Sequence, residues 1–137
     1  MKFDYLEIPS RDPVKPSARR PYIPIRILYG KKFQDLMCLV DSGADLCLFP
    51  AKVGEILGID VTSGRREPIG GIAETPIVAY IHSVRLIIRG LSGVDVDVGF
   101  TESRGVRSGI LGQVGFFDKY RITFERYRNR VDVADRP

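Results

Sequence analysis

Several residue types that build catalytic and metal sites are scarce in this chain of 137 residues. It contains 1 histidine, His82, and 2 cysteines, Cys38 and Cys47, and these cannot assemble a convincing metal site. A single histidine also disfavours Ser-His-Asp and Cys-His mechanisms. Both cysteines lie in apolar segments, so we expect buried free thiols. We therefore expect neither a metal nor another cofactor.

Long apolar runs are also missing. No stretch approaches the roughly 20 residues that a membrane-spanning helix needs, and no signal-peptide pattern opens the sequence. We therefore expect a cytoplasmic protein without a membrane partner. The net charge is +4, but acidic residues are interleaved with the basic ones. This pattern indicates a mixed, solvated surface, and no nucleic-acid partner is expected.

The apolar pattern is typical of short strands. Residues 94–98 alternate valine and aspartate, which predicts a strand with its valines in a core and its aspartates in water. His82 lies in another alternating segment, and we expect it on a solvated strand face. The sequence predicts a mostly β fold, of barrel or sandwich type, with one or two short helices over 50–57 and 113–119. The predicted strands are residues 22–29, 33–40, 46–49, 65–69, 72–75, 77–88, 94–98, 120–125 and 130–133.

The first twenty residues differ from the rest. They contain Pro9, Pro13 and Pro16 and have no sustained period. We predict an extended N-terminal arm over residues 1–20 and one domain over residues 21–137.

The most informative motif is Asp41-Ser42-Gly43, which follows an apolar run and occurs once. A strand that ends in such a loop can deliver one carboxylate of a catalytic pair. Two carboxylates about 3 Å apart cannot both ionise, so they share one proton. The ionised carboxylate can then take a proton from water while its partner donates one to a substrate carbonyl. A chain with a single such loop supplies half of this pair. We therefore predict that two copies of the chain complete the site.

Three segments in this order resemble the retropepsin-like aspartic proteases, which are retroviral-type, single-domain enzymes. The segments are Asp41-Ser42-Gly43-Ala44-Asp45, Ile69-Gly70-Gly71-Ile72 and Ile110-Leu111-Gly112. The resemblance covers roughly residues 22–125. It implies a closed β-barrel of the acid-protease type with a flap hairpin, and a homodimeric endopeptidase that binds an extended polypeptide. By this resemblance, the catalytic residues are Asp41, Ser42 and Gly43. The implied substrate-binding residues are Val40, Ala44, Asp45, Ile69, Gly70, Gly71, Ile72, Ile110 and Leu111.

Some positions depart from the family pattern. Ala44 has no hydroxyl to donate to the carboxylate, so we expect activity to extend toward weakly acidic pH. Gln113 stands where many family members have an arginine whose guanidinium helps tie the active-site loop and the dimer together. Glutamine cannot make that ion pair, so how Asp45 is held and how strong the dimer is stay open. Pro68 and Pro76 bracket the flap segment and limit its pairing with other strands, which suits a protruding hairpin.

Other interpretations stay open at this point. A dimeric peptide- or protein-binding module would keep the fold and the groove without cutting. A basic β-barrel that binds nucleic acid would show affinity that falls steeply with salt. Asp41 would then be a capped turn residue, Asp45 an ordinary polar loop residue, and residues 69–72 an ordinary exposed hairpin.

Overall fold

The structure, a computed structural model, describes residues 1–70 and 76–137 and is mostly β, as predicted. The described residues hold one α-helix, α1 (Ala51–Ile56), and two 3-10 turns, Val61–Ser63 and Arg126–Arg128. None of their helices is long and apolar enough to cross a membrane. The strands are β1 (Lys2–Asp4), β2 (Leu6–Ile8), β3 (Ala18–Arg20), β4 (Tyr22–Tyr29), β5 (Lys32–Val40), β6 (Leu48–Pro50), β7 (Arg65–Ile69), β8 (Ile77–Ile87), β9 (Val94–Thr101), β10 (Gly109–Leu111), β11 (Tyr120–Glu125) and β12 (Arg130–Asp135).

A 7-stranded sheet forms the body of the molecule, in the order β4-β5-β10-β6-β9-β8-β7. Strand β8 also pairs with β4, so the pairing returns to the first strand of the sheet. Most neighbours are antiparallel, but β10 runs parallel to β5 and places Leu111 opposite Val40. This pairing brings the third sequence motif beside the strand that ends at Asp41.

The alternation predicted for β9 is confirmed. Val96 and Val98 are buried, whereas Asp95 and Asp97 are exposed. Asp95 accepts a hydrogen bond from Arg85 at 2.9 Å on the outer face. His82 lies in a strand, β8, as predicted, but it is half-buried and its Nε2 lies 2.7 Å from a backbone carbonyl oxygen. The predicted solvated face is therefore only partly correct, because the imidazole contacts the Val61 carbonyl as well as water.

One of the two predicted helices forms. Helix α1 begins directly after Pro50, within the predicted range 50–57. The helix predicted over 113–119 is wrong, because that segment is a series of turns. Its amide of Phe117 bonds five residues back to Gly112, not four, and Gly115 has a φ of 102°. A residue with a positive φ cannot continue a right-handed helix, so this segment forms turns although its sequence predicts a helix.

The first twenty residues form three short strands. Strand β1 pairs antiparallel with β12, and β2 pairs with β3 in a separate 2-stranded sheet. Tyr5, between β1 and β2, is 7% exposed and packs in the main core. Pro21 follows β3, and its carbonyl accepts a hydrogen bond from Val40 at 2.9 Å. The N-terminal segment is therefore packed on the body through β1 and Tyr5, and the chain joins the large sheet directly after β3.

Both cysteines are free and buried, as predicted. Burial raises the pKa of Cys47 to about 11, although a hydrogen bond from the Gly112 amide opposes this, and burial also raises the pKa of Cys38. Because the thiolate is the reactive form, neither thiol should react with a disulfide reagent at pH 8 while the chain is folded. Both should react after unfolding in urea. Thiol counts by mass spectrometry check this, and rapid labelling of the folded chain would contradict it.

Candidate active site

Asp41 lies at the end of β5, where the chain leaves the sheet, and it is half-buried. Its amide donates to the Leu111 carbonyl at 3.0 Å, so the pairing of β5 with β10 continues one residue past the strand. Its Oδ1 accepts a hydrogen bond from the Gly43 amide at 2.9 Å. The backbone thus fixes the position of Asp41, and the loop orients its carboxylate.

The Gly43 position requires a close approach. A Cβ atom there would lie 3.2 Å from the Asp41 carboxylate oxygen, and the φ of Gly43 is not positive. Glycine is therefore suited to this position because the backbone amide must reach the carboxylate, and left-handed backbone freedom is not the reason. Ser42, between them, is exposed on the loop.

Residues 112–114 form a strap that is hydrogen-bonded to the loop over residues 41–45, called here the aspartate loop. The Gln113 amide donates to the Ala44 carbonyl at 2.8 Å, and the Val114 amide donates to the Asp45 carbonyl at 3.0 Å. The Gln113 side chain adds a third bond, from Nε2 to the Ser42 carbonyl at 2.7 Å. Gln113 therefore supports the loop through a neutral hydrogen bond to the backbone.

A cleft of about 310 Å³ lies between the aspartate loop and the hairpin formed by β7 and β8. Its walls combine apolar side chains with carboxylates from the loop and from β7. Within residues 1–70 and 76–137, no three His, Cys, Asp or Glu side chains are grouped so that they could hold a metal ion. The residues that line the cleft are Asp41, Gly43, Ala44, Asp45, Leu46, Leu48, Glu67, Pro68, Ile69, Gly70 and Ile110.

The structure brings most of the predicted site residues to this cleft. The predicted residues that line it are Asp41, Gly43, Ala44, Asp45, Ile69, Gly70 and Ile110. Gly71 and Ile72 lie outside the described residues. Val40 and Leu111, predicted as substrate-binding, require correction because they are 3% and 0% exposed in the core. Successive strand residues point to opposite sides, so Ile110 faces the cleft and Leu111 the core.

The sequence prediction missed four residues of the cleft, namely Leu46, Leu48, Glu67 and Pro68. Glu67 could have been found, because it lies two residues from Ile69 on the same strand and therefore shares its face. Its carboxylate lies 3.4 Å from the guanidinium of Arg65, which is two residues earlier on the same face of β7. Leu48 gave no local signal, because it reaches the cleft through the pairing of β6 with β10.

A small hydrophobic cluster supports the cleft from below. It consists of Leu48, Ile77, Ala79 and Val106, which are all buried. Ile69 and Ile110, which line the cleft, pack against this cluster. Apolar contacts beneath the cleft therefore join Ile110 of β10 to Ile69 of the β7–β8 hairpin.

Comparison with known proteins finds solved structures of the same fold. No protein-family model matches the sequence, and no curated protein matches it. EIAV protease complexed with the inhibitor HBY-793 aligns with a TM-score of 0.53 and 20% identity, over 76% of this chain and 88% of that chain. A retropepsin-like aspartic protease from Rickettsia conorii gives a TM-score of 0.60 and 13% identity, over 80% of this chain and 88% of that chain.

A third solved structure is the retroviral protease-like domain of Ddi1 from Leishmania major. It aligns with a TM-score of 0.52 and 17% identity, over 86% of this chain and 94% of that chain. Each of the three alignments spans most of both chains, and in the present chain the aspartate loop and the hairpin of β7 and β8 line one cleft. The chain therefore has the fold of the retropepsin-like aspartic proteases.

Proposed function

We propose that this protein is a homodimeric aspartic endopeptidase. The observation that carries the proposal is Asp41, oriented by the Gly43 amide at the wall of a cleft that is also lined by the hairpin of β7 and β8. The Asp-Ser-Gly motif occurs once in the sequence, so each chain contributes one carboxylate. A symmetric dimer supplies the second carboxylate, and this is the commonest form of oligomer.

The chemistry follows from the two aspartates. One Asp41 carboxylate is ionised and takes a proton from a water molecule, which attacks the peptide carbonyl. The other is protonated and donates its proton to the carbonyl oxygen, since two like charges this close share one proton. In this dimer the Ser42 hydroxyl, by its resemblance to the family motif, braces the two loops against each other across the symmetry axis. Catalysis by this pair uses no cofactor.

The substrate is an extended polypeptide. Strand β7 is the last strand of the large sheet, and a substrate strand adding beside it would be held by backbone hydrogen bonds. Ile69 and Gly70 belong to the flap that closes over it, whereas Gly71 and Ile72 of the predicted flap lie outside the described residues. Side chains on the other wall that contact the substrate are Ala44, Asp45 and Ile110. We place this activity in the domain over 21–137, in the cytoplasm.

A second candidate is a dimeric module that binds a peptide without cutting it. Gln113 favours it, because this side chain makes a neutral bond where many family members have an arginine ion pair. Incubation of the purified protein with an unstructured polypeptide between pH 4 and 7 separates the two. The endopeptidase gives fragments that pepstatin suppresses, whereas the binding module gives a saturable complex and no fragments.

A further inference from the structure

The peptide group between Ser42 and Gly43 is held at both ends. Its carbonyl oxygen accepts the hydrogen bond from Gln113 Nε2 at 2.7 Å. Its amide donates to Asp41 Oδ1 at 2.9 Å. Because a peptide group is planar, its carbonyl and its amide rotate together, and fixing the direction of one fixes the other. The Gln113 side chain and the Asp41 carboxylate are therefore linked through one rigid unit.

The hydrogen bonds also polarise one another. A donor on a carbonyl oxygen makes the amide of the same peptide group a better donor, so hydrogen bonds in a chain strengthen each other. Here the series of hydrogen bonds runs from the side-chain amide of Gln113 through the Ser42–Gly43 peptide group to the Asp41 carboxylate. No ionisable group takes part between its two ends, so the link does not require a charge on Asp45.

The backbone of Gln113 is fixed to the same loop. Its amide bonds to Ala44, and the neighbouring Val114 amide bonds to Asp45. Gly112 is buried before it, with Leu46 and Ala44 carbonyl oxygens close by. The Gln113 side chain is exposed, so its removal costs little apolar burial. Its contribution is therefore concentrated in the bond to Ser42.

We infer that Gln113 is a positioning residue that orients the Asp41 carboxylate through the Ser42–Gly43 peptide group. The inference rests on the proposed endopeptidase function, and it adds a residue that touches neither the substrate nor the reacting atoms. Without the donor, the peptide group is free to rotate and the carboxylate loses its orienting amide. Misplacement of a catalytic group by about 1 Å can reduce a rate by about 10²-fold.

The test compares two variants of the same residue. Gln113→Met keeps the length of the side chain and removes the donor, and its kcat should fall about 10-fold or more with KM changed less than about 2-fold. Gln113→Arg restores a donor and should recover most of kcat. Gln34→Met is the matched control, because Gln34 also donates to a backbone carbonyl, at 3.1 Å, in β5. The control should keep both constants.

A second readout does not need activity. Exchange of the Gly43 amide proton, followed by NMR, should be faster in Gln113→Met than in the wild type and in Gln113→Arg, whereas the exchange of the core amides should not change. If the wild type cuts nothing but the Gly43 amide responds in this way, the proposed function fails and the link stands. If the wild type cuts and Gln113→Met changes neither kcat nor the exchange of Gly43, the inference is wrong. A rise in KM alone would also overturn it, since that result indicates substrate contact.

Discussion

Replacement of Asp41 by asparagine should lower kcat by about 10³-fold or more. Asparagine has the same shape and can still accept the hydrogen bond from the Gly43 amide. It cannot share a proton with a second carboxylate or take one from water, and acid–base catalysis by a positioned group contributes about 10²- to 10⁴-fold. Asp41 is half-buried at the end of β5 and the substitution keeps the shape of its side chain, so the free energy of unfolding should change by less than about 1 kcal/mol.

The measurement is the cleavage of an unstructured polypeptide by equal concentrations of the wild type and Asp41→Asn. Asp95→Asn is the matched control, because it makes the same chemical change at an exposed surface pair with Arg85. Exposed pairs of this kind contribute about 0 to 1 kcal/mol to stability, so the control should fold and cut normally. Equal activity of Asp41→Asn and the wild type would show that Asp41 is not catalytic.

Replacement of Gly112 by alanine should destabilise the fold by about 3 kcal/mol or more. A Cβ atom at this position would lie 2.3 Å from the Leu46 carbonyl oxygen and 2.7 Å from that of Ala44. Both contacts are with backbone, which cannot move aside as a flexible side chain can. The strap over residues 112–114 would have to leave the aspartate loop, and its hydrogen bonds to Ala44 and Asp45 would be lost with it.

Urea unfolding followed by circular dichroism measures this change. Gly70→Ala is the matched control for stability, because a Cβ atom at Gly70 would have no atom of residues 1–70 and 76–137 within 4 Å, its chain neighbours aside. Its free energy of unfolding should stay within about 1 kcal/mol of the wild type. If Gly112→Ala unfolds at the same urea concentration as the wild type, the strap does not hold the loop as closely as the structure places it.

Features that depend on neighbours along the chain could be predicted from the sequence. The alternation of valine and aspartate in β9 predicted which side chains are buried, and the two apolar runs over 22–29 and 33–40 predicted the strands that pair as β4 and β5. The aspartate loop was predicted from its motif, because a strand that ends at Asp41 needs only local residues.

Features that depend on long-range pairing could not be predicted. The insertion of β10 between β5 and β6 decides that Ile110 faces the cleft and Leu111 the core. The same insertion brings Leu48 to the cleft. The false helix over 113–119 has a similar cause, because Val114 pairs with Leu46 and Gly115 takes a positive φ. Contacts between distant segments override the local apolar period in each case.

The claim that one site needs two chains can be tested by mixing. Wild-type chains are unfolded and refolded together with an equal amount of Asp41→Asn, and the rate of cleavage is compared with that of the same amount of wild type refolded alone. If each site needs Asp41 from both chains, mixed dimers are inactive and the rate should fall to about half. An unchanged rate at the same amount of wild-type chain would contradict the account, because each chain would then carry a complete site.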